Sequence, residues 1–421
     1  MNVNQILKEV LEDIAPDDSS VRLVDDFLRK LNSELKKKKL KATAVLGGSF
    51  AKGTRLRGDH DVDIFVRFDL KYDSEKLSDL LEPCLKNWRP QRIHGSRDYF
   101  QIKNGMKLEI VPVLAIKKPK EAKNVTDFSP WHVSWTNNAG KKLKGEIMLA
   151  KKFLKAQKAY GAESYIKGFS GHVVDILVIH YGGFLKFLKA ASNWKLAKKA
   201  KTDDEKQVVD HYNIYKGKAL LMLNKSKLQS PLVLIDPVQP ERNAAAALDA
   251  EHYNKHILAA KKFLKNPSKE FFVDKKTNFA KMAKKGTLVR IFAQSLPGSE
   301  DVSGTKLLKA FEFLRQKLID AEFKLAEAGW GWNKKDNVLM WFVAKQKILP
   351  ELELRQGPPA KREPFASEFE KKYKKSGKVF ASKGRLFAKV TRKYRTAEQL
   401  LAVLLKDDYL KDKFKQAKLE K

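Results

Sequence analysis

The chain is long, strongly basic and poor in cysteine. It has 421 residues, 43% of them hydrophobic, and a formal net charge of +35 at pH 7, so about two to four domains with well-formed cores are expected. This charge favours a polyanion, above all nucleic acid, as the partner, and a lysine-rich solvated surface is the alternative. The single cysteine, Cys84, excludes an internal disulfide and a cysteine cluster for structural zinc.

Neither membrane insertion nor secretion is indicated. No stretch approaches the roughly 18 to 20 apolar residues of a membrane span. The N-terminus MNVNQILKEVLEDIAP lacks the basic, apolar and small-residue layout of a signal peptide. We therefore predict a cytoplasmic protein that makes no membrane contact.

The pattern of apolar residues changes along the chain. Residues 1 to about 36 predict helices. From about 42 to 115, β-rich runs appear, ATAVLGGS, DVDIFVRF, YFQIK and KLEIVPVLAI, with a helical segment between the second and third. Long amphipathic helices follow. We expect an N-terminal α/β domain over residues 1–128 and a helical domain over residues 129–262.

A third domain is expected over residues 263–421. Two strand-like runs, GTLVRIFAQSL and NVLMWFVAKQ, lie on either side of a helical run, TKLLKAFEFLRQKLIDAEF. The last segment interleaves Lys and Arg with Phe and Tyr, as in EFEKKYKKSGKVF and KGRLFAKVTRKYR. Such side chains contact phosphates and support bases or ribose faces, so we predict that this domain binds RNA.

A glycine turn carries the first chemical signal. Gly47 and Gly48 let backbone N–H groups approach a triphosphate, and Ser49 adds a hydroxyl at the start of a helical turn. Lys52 supplies a cation one helical turn later. The pattern is not a P-loop, which disfavours an ATPase of that type.

Paired aspartates follow the glycine turn. Strand alternation places Asp61 and Asp63 on one face. Close like charges persist most readily beside a divalent cation, and oxygen ligands on a strand suit magnesium. Glu109 is the third candidate because Leu108 and Ile110 face the core. We predict two Mg²⁺ ions that activate a primer 3′-hydroxyl and stabilise leaving pyrophosphate; a solvated strand edge is the alternative.

Five ordered segments resemble the archaeal-type, class I, tRNA nucleotidyltransferases of the polymerase β-like superfamily. They are GGSFAKGTRLRGDHDVDIFV (47–66), LEIVPV, SPWH, AKKFLKAQKAYGAESYIKGFSG (150–171) and DPVQPERNAAAAL (236–248). The resemblance covers most of the chain. It implies an enzyme that adds C, C and A to the tRNA 3′ end from CTP and ATP without a template. It also implies an α+β fold, with a palm-like mixed sheet and helices, a helical central domain and a C-terminal α/β RNA-binding domain.

The resemblance also assigns site residues. The metal-binding carboxylates fall on Asp61, Asp63 and Glu109. The nucleotide contacts fall on Gly48, Ser49, Lys52, Ser129, His132, Lys151, Tyr160, Arg242 and Asn243. By resemblance, the pair formed by the last two residues lies beside the incoming base, and its arginine helps accept C and A while rejecting G and U.

Two other functions compete with CCA addition. A poly(A) polymerase-like RNA-tailing enzyme would use ATP alone and extend without stopping. A non-catalytic RNA-binding protein with a decayed nucleotidyltransferase site is the other alternative, and Glu109 favours it because many relatives have Asp there. The expected partners are tRNA, ATP and CTP, and a homodimer is compatible with the prediction.

Overall fold

In the computed structural model, the chain forms two compact units, Met1–Lys275 and Lys276–Lys421. The residues that the structure describes are 2–17, 19–59, 61–197, 206–375 and 377–420. Within these ranges, every helix is too short or too polar to pass through a bilayer.

The first unit combines a mixed sheet with helices. Its helices are α1 (Val3–Ile14), α2 (Ser19–Lys37), α3 (Gly48–Lys52), α4 (Leu77–Leu85), α5 (Ser129–Ala139), α6 (Lys144–Ala156), α7 (Gly171–Tyr181), α8 (Phe184–Ser192), α9 (Ala219–Met222) and α10 (Ala250–Lys265). Its strands are β1 (Ala42–Leu46), β2 (Asp61–Phe68), β3 (Gln91–Ile93), β4 (Tyr99–Asn104), β5 (Met106–Leu114), β6 (Gln207–Val209) and β7 (Leu232–Leu234). These elements confirm the predicted α+β class and the helical middle of the chain.

The five-stranded sheet has the order β1-β2-β5-β4-β3. β2 and β5 pair in parallel, and the other pairs are antiparallel. β2 completely buries Val62, Ile64 and Val66, so Asp61 and Asp63 lie on its other face. The sequence left open whether these two strands are neighbours, and the structure places them side by side.

Two large apolar cores, and a smaller cluster around Val233 and Ile235, support the first unit. α2 packs on the sheet, whereas α1 packs with the central helices through Ile6 and Val10. Phe153 and Phe263 belong to the helical core, which continues to Phe272 in a short 3₁₀ helix. The first unit therefore extends beyond residue 262, where the sequence predicts a division. The three-domain description stays a prediction.

The second unit contains two sheets, ordered β14-β8-β10-β9 and β11-β13-β12. Its helices are α11 (Phe279–Ala283), α12 (Glu300–Asp320), α13 (Phe365–Tyr373) and α14 (Ala397–Leu404). Its strands are β8 (Thr287–Ser295), β9 (Leu325–Trp332), β10 (Asn337–Ala344), β11 (Leu352–Pro359), β12 (Gly377–Ser382), β13 (Arg385–Thr391) and β14 (Phe414–Leu419). The expected strands on either side of a helix are β8 and β10. The sequence analysis missed β9, since its run LAEAGWGW is rich in Ala and Gly and buries no side chain fully.

Candidate active site

The three predicted metal-binding carboxylates lie on adjacent strands. Asp63 is opposite Glu109, and Asp61 is opposite Lys107. The Lys107 Nζ atom lies 2.8 Å from Glu109 Oε1 and 3.7 Å from Asp61 Oδ1. Gln101 Nε2 donates a hydrogen bond to Glu109 Oε1 at 3.0 Å. Sequence reasoning missed Lys107, although strand alternation places it on the same face as Glu109.

The glycine turn packs directly against the side chain of Asp63. A Cβ atom on Gly48 would lie 1.6 Å from Asp63 Oδ2, and the backbone of Gly48 has a φ of +51°, which favours glycine. A Cβ atom on Gly47 would lie 2.5 Å from the ring of Phe65. A side chain at either position would clash with a residue of β2. Glycine therefore lets β2 place Asp63 directly against the turn, and the sequence analysis missed this steric role.

Charge in this cluster is incompletely compensated. Burial, Glu109 and Asp61 raise the pKa of Asp63 to about 6, against the opposing influence of Lys52 and Lys107. A carboxyl group whose pKa is raised in this way gains from an additional cation nearby. Carboxylate oxygens are the donors that hard divalent cations prefer. The residues present therefore fit a divalent metal ion.

Two predicted triphosphate contacts share one buried partner. Lys52 Nζ lies 2.7 Å from Asp175 Oδ2, and Lys151 Nζ lies 3.5 Å from Asp175 Oδ1. Lys151 also donates a hydrogen bond to Thr54 Oγ1 at 2.8 Å. Burial would raise the pKa of Asp175, but the ammonium groups of Lys151 and Lys52 outweigh it and lower this pKa to about 2. Two cations thus share one ionised carboxylate.

Tyr160 lies close to one of these two lysines, Lys151. A Cβ atom on Gly171 would lie 2.9 Å from the Tyr160 hydroxyl and 4.0 Å from Lys151 Cε. The Lys155 ammonium lies 5.3 Å from the centre of the Tyr160 ring. Burial is the largest cause of the raised pKa of Tyr160, with Asp175 second, so this hydroxyl is protonated and can donate at neutral pH.

The two predicted serines lie on helices that pack together. Ser49 is in α3, and Ser129 is the first residue of α5. Asn137 Nδ2 donates to the carbonyl oxygen of Ala51 at 3.0 Å and joins these helices. Both serines are partly buried.

A second polar group surrounds Asp236. Its carboxylate lies 3.1 Å from His132 Nε2, 3.4 Å from His172 Nε2 and 3.1 Å from Arg242 Nη1. Burial is the main cause that lowers the pKa of His172 to about 4, and the charge of Lys52 contributes. The charge of Lys52 also lowers the pKa of Asp63. The polar group around Asp236 and the carboxylate cluster therefore both lie within reach of the charge of one lysine.

Asn243 has a structural task that differs from the predicted one. Its Oδ1 atom accepts from the backbone N–H groups of Leu234 and Ala245, each at 2.9 Å. Its Nδ2 atom donates to the carbonyl oxygens of Lys227 and Leu232. These four bonds use the whole capacity of the amide. The side-chain amide therefore has no hydrogen-bonding group left for an incoming base, and the expected place of Asn243 beside that base stays a prediction.

Sequence reasoning missed three residues that organise the site: Asp175, His172 and Asp236. Asp175 is a lone charge in the apolar run GHVVDILVIHY and is completely buried. A buried charge requires a partner, so this residue carried a signal. Its partner Lys52 lies 123 positions away in sequence, which is why spacing alone did not reveal the pair.

The fold and the carboxylate cluster together define a nucleotidyltransferase, a class that generally acts with a divalent metal ion. Three family models match successive segments: the nucleotidyltransferase domain over residues 28–132, the second domain of tRNA nucleotidyltransferase over residues 145–273, and the C-terminal domain of the CCA-adding enzyme over residues 285–410. The chain belongs to the family of CCA-adding enzymes.

Archaeal relatives extend this match over most of the chain. The CCA-adding enzyme of Nanoarchaeum equitans is 35% identical over 75% of this chain and 76% of its own length. That of Pyrococcus abyssi is 35% identical over 84% and 80%. The CCA-adding enzyme of Methanococcus maripaludis strain C7 is 31% identical over 98% and 93%. These matches confirm the resemblance seen in the sequence motifs.

A solved structure of a cytoplasmic RNA terminal U-transferase shares the fold. It covers 66% of this chain and 99% of its own, with a TM-score of 0.50 and 13% sequence identity. At this identity the likeness concerns the fold alone.

Proposed function

We propose that this enzyme adds C, C and A to the 3′ end of tRNA from CTP and ATP, using two Mg²⁺ ions held by Asp61, Asp63 and Glu109. The parallel register of β2 and β5, which sets Asp63 opposite Glu109, is the observation that carries the metal assignment. When bound, the ions supply positive charge for activation of the 3′-hydroxyl and for departure of pyrophosphate. The raised pKa of Asp63, caused by burial, Glu109 and Asp61, supports a need for such charge.

The buried lysines are proposed to bind the triphosphate. Lys52 and Lys151 share the single carboxylate of Asp175, so a net positive charge remains in a buried position. Electrostatic attraction is stronger there than in water. Asp175 opposes the lowering of the Lys151 pKa by burial and thereby favours the charged ammonium. Tyr160, with its protonated hydroxyl, is proposed to donate to the same phosphates.

The hydroxyl and histidine contacts complete the proposed nucleotide site. Ser49 and Ser129 each offer a donor from packed helices, and Gly48 brings the backbone of the turn close to Asp63. His132 contacts Asp236, and we place its ring beside the nucleotide or the primer.

Base choice is assigned to Arg242. Cytosine and adenine both present a ring nitrogen with a lone pair beside an amino group, whereas uracil and guanine present an N–H there. Arginine carries only donors, so its N–H groups match the first pair of bases and oppose the second. The Arg242 side chain is 48% exposed, which leaves donors accessible to a base. Phosphates of the bound RNA are proposed to complete the pocket.

The basic second unit is proposed to hold tRNA. The whole chain has a net charge of +35, which attracts the phosphate backbone, and recognition of a helical stem relies largely on shape, phosphates and 2′-hydroxyls. A homodimer is compatible with this proposal, and light scattering would detect it. We place the reaction in the cytoplasm.

Extension of a labelled tRNA that lacks its 3′ CCA tests the proposal. The enzyme is supplied with Mg²⁺ and CTP alone, ATP alone, or both nucleotides. Two C additions with CTP, followed by one A and a stop when ATP is added, are expected. Long A tails from ATP alone would instead identify a poly(A) polymerase-like enzyme, and tRNA binding without incorporation would identify a non-catalytic RNA-binding protein.

A further inference from the structure

Asp236 joins three separate segments of the first unit. Its side chain contacts His132 on α5, His172 on α7 and Arg242 on the loop that follows β7. The carboxylate is completely buried, whereas the Arg242 side chain is 48% exposed. A fixed anion thus lies directly behind a partly exposed cation.

The loop itself is closed around this carboxylate. The Asp236 Oδ1 atom accepts from the backbone N–H groups of Val238 at 2.9 Å and Gln239 at 3.3 Å. The Asp236 N–H group donates to the carbonyl oxygen of Arg242 at 3.1 Å. Backbone and side chain therefore fix the distance between Asp236 and the start of the arginine side chain.

We infer that Asp236 is a positioning residue that sets nucleobase discrimination by holding the Arg242 guanidinium in one orientation. This inference rests on the proposed role of Arg242 in base choice. The guanidinium is planar, so an ion pair at Nη1, 3.1 Å from Asp236 Oδ2, restricts the direction of its other N–H groups. A long arginine side chain without this partner has many rotamers, and a base would then meet donors in several arrangements.

The two histidines form the wall that keeps the carboxylate in place. The His132 and His172 rings have centroids 4.1 Å apart, and both rings face Asp236. Burial lowers the pKa of His172 to about 4, so this ring is neutral at pH 7 and adds no positive charge beside Asp236.

A metal ion is the competing explanation for this group. Ligand-type atoms of His132, His172 and Asp236 lie within 4.8 Å of one another. However, two backbone N–H groups, one histidine and one guanidinium already bond to the carboxylate oxygens. A carboxylate offers about four such positions, and the guanidinium of Arg242 repels a second cation. These contacts therefore favour Asp236 as a residue that holds Arg242, and not as a metal ligand.

Nucleotide competition with the full-length enzyme and tRNA lacking CCA tests this inference. The variants are Asp236→Asn, Arg242→Ala and the double variant. Asparagine keeps the Oδ1 acceptor for the loop but removes the charge. We expect Asp236→Asn to reduce the ratio of kcat/KM for CTP to that for UTP by about 10- to 100-fold. The double variant is expected to be no less selective than Arg242→Ala, because both changes act through one side chain.

A second variant keeps the test decisive if Asp236→Asn does not fold. Asp236→Ser retains a short side-chain acceptor for the same turn and is expected to lose discrimination equally. Unchanged tRNA affinity and melting temperature would separate this effect from a general loss of structure.

The outcomes distinguish the inference from the function on which it rests. If Arg242→Ala itself keeps normal discrimination, the proposed base-reading role is wrong. If Arg242→Ala loses discrimination but Asp236→Asn and Asp236→Ser keep it, or if the losses add in the double variant, the positioning role is overturned. One equivalent of zinc in the wild-type protein that is absent from Asp236→Asn would also overturn it, since Asp236 would then be a ligand.

Discussion

The first unit contains two kinds of carboxylate, and they differ in burial and in what balances their charge. Asp63 lies near Glu109 and Asp61, and burial together with these neighbours raises its pKa to about 6. Asp175 is more deeply buried, yet two lysines outweigh burial and lower its pKa to about 2. Asp63, of the first kind, lacks enough positive charge nearby, whereas the charge of Asp175, of the second kind, is already neutralised by two lysines of the fold. This difference separates groups suited to bind a metal from groups that position other side chains.

Removing a carboxylate from the uncompensated cluster should have the largest effect on catalysis. We expect Asp61→Asn and Asp63→Asn to lower kcat by about 100-fold or more, because the metal ions lose an oxygen ligand. tRNA affinity should be nearly unchanged in a filter-binding assay. Asp69→Asn, an exposed change just beyond the far end of β2, serves as the control with normal turnover. Near-normal turnover in both site variants would refute the assignment.

Removing the compensated carboxylate should mainly affect stability. Asp175→Asn leaves the ammonium groups of Lys52 and Lys151 buried without their counter-charge, so the free energy of unfolding should fall by about 3–5 kcal/mol. Urea denaturation measures this change. Asp26→Asn is the matched control, since Asp26 pairs with Lys30 on an exposed helix surface, and its denaturation midpoint should not move. An unchanged midpoint in Asp175→Asn would show that the carboxylate of Asp175 is not needed to stabilise the two buried lysines.

In metal-free protein, Asp63→Asn should raise the free energy of unfolding, which is the opposite of the effect expected for Asp175→Asn. The pKa of Asp63 is raised from 3.8 to about 6 by burial, Glu109 and Asp61, so ionisation of this group destabilises the fold. The cost is absent below about pH 4, grows as the pH rises towards 6, and is complete above it. In EDTA, Asp63→Asn should therefore exceed the wild type in free energy of unfolding by on the order of 1–3 kcal/mol at pH 7. A stability difference that is independent of pH would contradict this.

The smallest expected change concerns the basic surface of the second unit. Exposed lysines continue along and beyond α13: Lys371, Lys372, Lys374 and Lys375. Changing these four to Gln should weaken tRNA binding and lower the slope of log Kd against log salt by up to about 1 for each phosphate that is no longer neutralised. The same number of exposed lysines over residues 36–39 provides a control set in the first unit. An unchanged slope in the α13 variant would make this surface merely solvated.

Local patterns were sufficient to predict the carboxylates but not their surroundings. Alternation along DVDIFV identified Asp61 and Asp63, and the apolar neighbours of Glu109 identified its strand, because strand periodicity is a local property. Their adjacency depends on how β2 pairs with β5, which separate runs of sequence do not specify. Alternation places Lys107 on the same face as Glu109, but its position between Glu109 and Asp61 follows only from that pairing.

Long-range ion pairs account for most of what the sequence analysis missed. His132 and Asp236 are separated by 104 positions, and Asp175 pairs with lysines from two other segments. Asn243 shows the reverse case, because the family resemblance implied a place beside the incoming base. The fold instead uses its amide for four backbone bonds. Burial decides such cases, and burial is a property of the assembled core.

Binding of Mn²⁺, as a spectroscopic probe for Mg²⁺, tests the contrast between the two kinds of carboxylate most directly. The free-ion electron paramagnetic resonance signal is titrated without nucleotide, so that base contacts play no part, with wild-type enzyme, Asp63→Asn and Asp236→Asn, whose carboxylate, like that of Asp175, is already paired within the fold. The account predicts saturable binding that weakens by about 10-fold or more in Asp63→Asn and is unchanged in Asp236→Asn. Equal binding by wild type and Asp63→Asn, or loss of binding in Asp236→Asn alone, would contradict it.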